Sequence, residues 1–186
     1  MTRTFSVFGG QSILQIQRSR ESEIHDEIRY ADYDEILEND NDEYLDGLIA
    51  EYSFDLPELD FDNQDGVKRT KRNRELLVVR IPFEGDEQQL RWQPSSSRVS
   101  YYDCYVEDGY LCFDIPRDTP NLSDEIQDRV DAIQQNFQSL QSDMEQFNEQ
   151  LQNMDSLERA YDSRREEAEE HQEELDNLDF EIQDDE

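Results

Sequence analysis

Five basic side chains, Lys68, Arg69, Lys71, Arg72 and Arg74, fall within seven residues. They include both lysines of the chain and five of its 17 positive charges. This is the one place in the sequence that could meet phosphate. A short run of this kind can contact a nucleic-acid backbone or an acidic partner, and it also looks like a nuclear localisation signal. A solvated loop whose cations pair with nearby carboxylates has the same composition. No stacking signature adjoins the run, because Trp92 stands alone. The other reactive residue types lack partners at useful spacing. Acid pairs such as Glu35 with Glu38 carry no information in a chain with 49 carboxylates. The run from Asp55 to Asp65 lacks the glycine and terminal glutamate of an EF-hand loop. His25 and His171 each sit in a polar helical stretch with no Cys or His at metal-ligand spacing, so both are expected to face solvent. There is no P-loop, no GxSxG elbow and no Cys/His nucleophile pair. Phe83-Glu84-Gly85-Asp86 is the only acidic loop directly after a core strand, and a turn is its simplest role. The sequence therefore assigns no catalytic residue, metal or cofactor.

The net charge of -32 over 186 residues argues against a general DNA binder or an anionic-membrane binder, because phosphate affinity comes mainly from Lys and Arg releasing counterions. No run of 18 apolar residues could span a bilayer, and the start has no signal-peptide core, so a soluble cytoplasmic protein is expected. Fifteen of the 17 basic residues are Arg. Acid-rich, Lys-poor surfaces suit molar potassium, where the Debye length falls to about 3 Å and carboxylate repulsion is screened. The expected host is a halophilic prokaryote or its virus. Intrinsic disorder is the competing reading, since like charge and modest hydrophobicity leave ordering entropy uncompensated at ordinary salt. Nine Tyr, nine Phe and one Trp in periodic stretches favour order.

Elements must position these groups. Residues 1–20 read as a weak strand and a flexible linker. Ile24 and Ile28 predict a short helix over 22–29, which Asp32 to Leu37 either extend or end in a turn. An Asp40 or Asn41 cap precedes a second helix carrying Tyr44, Leu45, Leu48, Ile49 and Tyr52 on one face. Leu59 and Phe61 suggest a short strand, and 63–74 reads as an exposed loop. Leu76 to Ile81 form a strand ended by Pro82. Strands over 98–106 and 110–115 are joined by Glu107-Asp108-Gly109, a hairpin signature. Cys104 and Cys112 flank that turn and are expected to be reduced.

The strongest signal follows Pro120. Ile126, Val130, Ile133, Phe137, Leu140, Met144, Phe147, Leu151 and Met154 recur at alternating spacings of four and three, forming a coiled-coil seam or a core-facing helix. The period slips at Met154 to Leu157, where a stammer or a helix-helix turn is expected, and Asp155 with Glu158 has capping-box spacing. With Val130 as an a position, the e sites are Gln127, Gln134, Gln141 and Asn148, and the g sites are Arg129, Asn136, Asp143 and Gln150. They lack complementary charges, and Phe137 and Phe147 are bulky for a parallel dimer. Packing within the chain is favoured over self-association, and both remain open.

Ile81-Pro82-Phe83-Glu84-Gly85-Asp86, Trp92-Gln93-Pro94-Ser95, the hairpin, and a long helix with Phe147-Asn148 and Leu151 followed by Arg164-Arg165 carry a resemblance. Over about 75–165 the chain resembles the N-terminal region of uncharacterised prokaryotic proteins that often carry a restriction-endonuclease-like domain after it. The chain stops at Glu186, leaving no room for that domain. The resemblance implies a non-catalytic module accessory to a nuclease-type system, and it transfers no active-site residue.

The expected protein is α+β, with a small antiparallel sheet, N-terminal helices and a long C-terminal helix or helical hairpin. Its segments are a flexible 1–20, a domain at 21–117, a helical 118–178 and an acidic tail at 179–186. The expected function is non-enzymatic: a protein-interaction or assembly module that binds an unidentified protein, or itself, through Ile126, Val130, Ile133, Phe137, Leu140, Met144, Phe147 and Leu151. The alternative is an accessory protein that touches nucleic acid through Lys68, Arg69, Lys71, Arg72 and Arg74. The halophilic reading predicts that circular dichroism will show helix loss as potassium chloride is withdrawn; full folding in dilute buffer would contradict it.

Overall fold

In a computed structural model the described residues are 4–71, 73–97 and 102–178. The fold is α+β, as the sequence predicts. The chain forms two compact units, Met1–Gln17 with Phe54–Phe147, and Arg18–Ser53 with Asn148–Glu186. The expected contiguous division at 20, 117 and 178 is therefore not the one the contacts make. Residues 179–186, expected as an acidic tail, lie outside the described residues.

The first unit is built on an antiparallel sheet. Its strands are β1 (Phe5–Ser6), β2 (Glu58–Leu59), β3 (Asp65–Lys71), β4 (Arg74–Glu84), β5 (Asp103–Glu107) and β6 (Tyr110–Pro116). The order is β1-β5-β6-β4, and both β2 and β3 pair with the far side of β4. Residues 1–20 are not a linker throughout: Phe5 pairs with Cys104, Val7 and Phe8 are buried, and a helix begins at Ile13. The expected end of β4 at Pro82 also fails. Proline lacks an N–H, but Pro82 sits between the β3 pairing, which ends at Arg80, and the β2 pairing, which starts at Phe83. Its carbonyl accepts from Asp60 N at 3.0 Å. The hairpin between β5 and β6 forms as expected, because Asp108 (φ 53°) and Gly109 (φ 78°) both take left-handed backbone. Residues 98–101 of the expected strand lie outside the described residues.

Strand alternation gives the sheet two faces. Val79 lies opposite Phe113 and Ile81 opposite Leu111, and these four are buried. Val78, Cys112 and Tyr105 lie on the other face as a small buried cluster. Helix α4 (Leu122–Gln152) belongs to the first unit up to Phe147. It covers the first face: the Arg129 guanidinium lies 6.0 Å from the Phe113 ring centre, Phe137 meets Phe61 edge-on, and Phe147 meets Phe54. Gln141 Nε2 donates to Pro57 O at 2.8 Å.

The second unit is helical. It takes α1 (Ile13–Tyr30) from Arg18 onward, α2 (Tyr33–Glu38), α3 (Asn41–Tyr52) and α5 (Asp155–Asp176). The α1 helix is longer than the predicted 22–29. Asp32 and Asp40 cap α2 and α3, each accepting at 3.1 Å from the backbone N–H two residues on. The slip in the apolar period is a helix-helix turn at Asn153 and Met154, not a stammer. Met154 is the N-cap and makes no side-chain capping bond, so the Asp155 and Glu158 spacing does not form a capping box. Ile24, Ile28, Ile36, Leu45, Leu48, Leu157, Tyr161 and Ala168 make the core. Tyr161 Oη points its proton at the end of α2, 3.1 Å from Ile36 O and 2.9 Å from Asn39 O. Because Tyr161 is fully buried, Tyr161→Phe would take the side-chain donor from Ile36 O and leave Asn39 O with Arg165 Nη1 at 3.4 Å. A loss of about 1–3 kcal/mol in unfolding free energy is expected, measured by denaturant melts in molar potassium chloride.

Candidate functional site

The eight-residue seam expected to bind a partner is not a surface. Val130, Ile133, Phe137, Leu140, Met144, Phe147 and Leu151 are at most 3% exposed within the single chain, and Ile126 is half-buried. The seam is a core face, and its period reflects packing within each unit. The uncharged flanks have the same cause: Asn136 is buried and Gln134 and Gln141 are half-buried.

The basic run is a strand and a tight turn, not a loop. Asp65 to Lys71 pair residue by residue with Arg80 to Arg74, and Asn73 (φ 61°) takes left-handed backbone in the turn. The loop reading failed because β3 has no apolar period: all seven of its residues are exposed. Among the described residues nothing covers either of its faces, so there was no hydrophobic alternation to read.

Pairing sorts the cations. Arg69 and Lys71 point to the face that carries Val78, Cys112 and Tyr105, and Lys68 points to the other. Arg69 Nη2 donates to Glu107 Oε2 at 2.6 Å and Nη1 to Tyr105 Oη at 3.5 Å. Tyr105 Oη donates to Asp114 Oδ1 at 2.8 Å, and Lys71 Nζ lies 3.5 Å from Asp114 Oδ2. Arg80 grips Asp65 at the far end through two donors, one at 2.7 Å. The hydrogen bond from Arg80 holds the Asp65 carboxyl below the usual carboxylate range, and the bond to Glu107 raises Arg69. Lys68 and Arg74 make no ion pair among the described residues. Arg72 lies outside them. The five-residue cluster is thus split: two cations bind carboxylates of their own sheet, and two remain for something else.

Three further candidates resolve into structure. Gly85 (φ 120°) takes a backbone conformation that L side chains avoid, and an added Cβ would come within 3.0 Å of Pro57 Cα. Asp86 accepts from Gln88 N at 2.9 Å, so the acidic loop after β4 is a turn. His171 stacks on Tyr33 in the second unit. His25 was expected to face solvent, but it is half-buried in a cavity of about 820 Å³ between α1 and α5, with Ser156 Oγ 3.3 Å from Nε2. Arg18, Arg29 and Arg164 line the same cavity. Local spacing could not reveal this pair, because its members lie 131 residues apart. Among the described residues no group binds the other ring nitrogen, so the pair lacks the orienting partner of a nucleophile-base relay. No cluster of three metal-ligating side chains occurs among them.

Set against protein families, characterised proteins and solved structures, the chain matches none of them. What the fold defines is a class: an α+β protein with a charged hairpin on its sheet and a separate helical unit. No helix among the described residues is long and apolar enough to cross a membrane.

The cysteines lie on opposite faces of the sheet and both are free. Burial pushes the Cys104 thiol up to about 12 and the Cys112 thiol up to about 11, from an ordinary value of 9.0. Raised folded values mean that this contribution to stability is complete below about pH 9. It is lost as pH rises through 11 to 12. Thiol reagents at pH 8 are expected to label neither cysteine in the native protein and both in denaturant.

Proposed function

We propose that the chain is a non-enzymatic protein-interaction module of a salt-adapted prokaryotic host, acting in the cytoplasm, and that it docks through the β3–β4 hairpin. One observation carries this reading: β3 is exposed along its whole length, pairs with β4 alone among the described residues, and holds both lysines of a chain with net charge -32. The buried α4 seam moves the docking surface to this hairpin. An accessory role beside a nuclease-type partner follows only from the resemblance over 75–165.

The alternative, phosphate contact through the same cations, draws support from Lys68 and Arg74. Against it, Arg69 and Lys71 already sit on Glu107 and Asp114. Hydrogen exchange in a host protein fraction separates the two readings. Slowed exchange at residues 65–71 that survives nuclease treatment is the expected result. Protection that disappears with nuclease would support the alternative, and an unprotected hairpin would defeat both.

A further inference from the structure

Backbone geometry specifies how β3 would receive a partner. Lys71 and Arg74 are the last pair of the ladder, and hydrogen-bonded pairs alternate along antiparallel strands in the phase that the far side of β4 fixes. Residues 65, 67, 69 and 71 therefore direct their backbone groups to β4. Gly66, Lys68 and Thr70 direct theirs to the free edge. The other side of β4 shows the complementary phase: Glu75 O accepts from Arg117 N at 3.1 Å and Phe83 N donates to Gly109 O at 2.8 Å, both across to the β6 side. Pro82 O accepts from Asp60 N on the β2 side, as the same alternation requires. The outward row is thus Gly66, Lys68 and Thr70, whose three N–H and three C=O groups meet no second strand among the described residues.

We infer that this row captures an extended acidic segment of a partner protein by strand addition, with the segment's carboxylates on the Lys68 face. The inference rests on the hairpin being the docking surface. Charge selects the occupant. Lys68 is the only cation of the outward row, and it is unpaired among the described residues, whereas Arg69 and Lys71 on the opposite face already bind Glu107 and Asp114. A second copy pairing β3 against β3 antiparallel about Lys68 would set the two lysines against each other, which is unfavourable. A lysine on an edge strand normally blocks pairing with neutral or basic strands. Here it would leave acidic strands as the acceptable ones. In molar salt, where the Debye length is about 3 Å, charges act only at contact. Strand addition supplies contact, because neighbouring strands lie about 4.8 Å apart.

The test uses the full chain in molar potassium chloride and a synthetic peptide, Thr-Glu-Val-Glu-Thr-Glu-Val, followed by fluorescence anisotropy. The peptide is expected to bind, and replacing its Glu by Gln should weaken binding by about tenfold. Thr70→Pro removes one outward N–H and no charge, and proline is tolerated where an edge N–H faces solvent. It should also weaken binding by about tenfold, the cost of roughly one hydrogen bond. Methylating alternate backbone nitrogens of the peptide tests the same bond with the protein unaltered, in case Thr70→Pro disturbs the hairpin. Undiminished binding by the methylated peptide in both registers would overturn strand addition. Equal binding of the Gln peptide would overturn the acidic specificity. Binding of duplex DNA that Thr70→Pro leaves intact and Lys68→Gln abolishes would overturn the inference in favour of phosphate. Hairpin protection in the host fraction with no peptide binding would reject the acidic strand while leaving the docking surface standing.

Discussion

Carboxylates accept hydrogen bonds and donate none, and this chain has 49 of them. Every helix end adds carbonyls that also need donors. Donors are the limiting resource, and the fold depends on where they are placed. In the helical unit, Arg20 Nη1 serves Tyr52 O and Ser53 O at the end of α3, at 2.6 and 2.9 Å. Arg164 serves Ala31 O, just past α1, through Nε and Nη2 at 3.1 and 2.6 Å while lying over the Tyr33 ring. Tyr161 and Arg165 serve the end of α2. One guanidinium offers five donors in a planar fork, where an ammonium offers three from a strongly hydrated point. The arginine excess read first as a mark of solvent is also what closes these helices.

The charge is unevenly divided. The helical unit holds 29 carboxylates and six arginines, and the sheet unit 20 carboxylates against 11 cations, both lysines included. Self-repulsion therefore falls mostly on the helices. Each has capping or core contacts, but those exposed carboxylates gain little from surface ion pairs, which contribute about 0–1 kcal/mol each. Screening salt would lower that repulsion, and by more in the helical unit than in the sheet unit.

Hydrophobic periodicity made much of this fold legible. The α4 seam, the Asp108-Gly109 hairpin and the Asp40 cap are local signals, and each formed where the residues placed it. The start of α1 was hidden because polar Gln17, Arg20 and Glu21 occupy its half-buried positions between Ile16 and Ile24. The β3 strand was hidden because pairing with β4, rather than burial, holds it straight, and period-2 reasoning sees only burial. The Ser156 and His25 pair and the arginine caps join residues more than 30 positions apart, which no local pattern encodes. The basic cluster was visible as composition, but its division between two faces depends on strand register.

That division reverses the roles first assigned to the two conspicuous features. The nearly uncharged helical face was expected to bind a partner, although its lack of complementary charges favoured packing within the chain. It lacks them because the chain covers it: Gln141 donates inward to Pro57 O, and Asn136 is 3% exposed. A charged strand looked merely solvated, yet its outward backbone groups are the ones the sheet leaves unpaired. Among the described residues, the outward backbone groups of Gly66, Lys68 and Thr70 meet no second strand and Lys68 makes no ion pair, which leaves these donors together on one edge. An acceptor-rich extended segment is what the proposed strand addition would match to that edge, since Lys68 and the outward N–H groups are its donors.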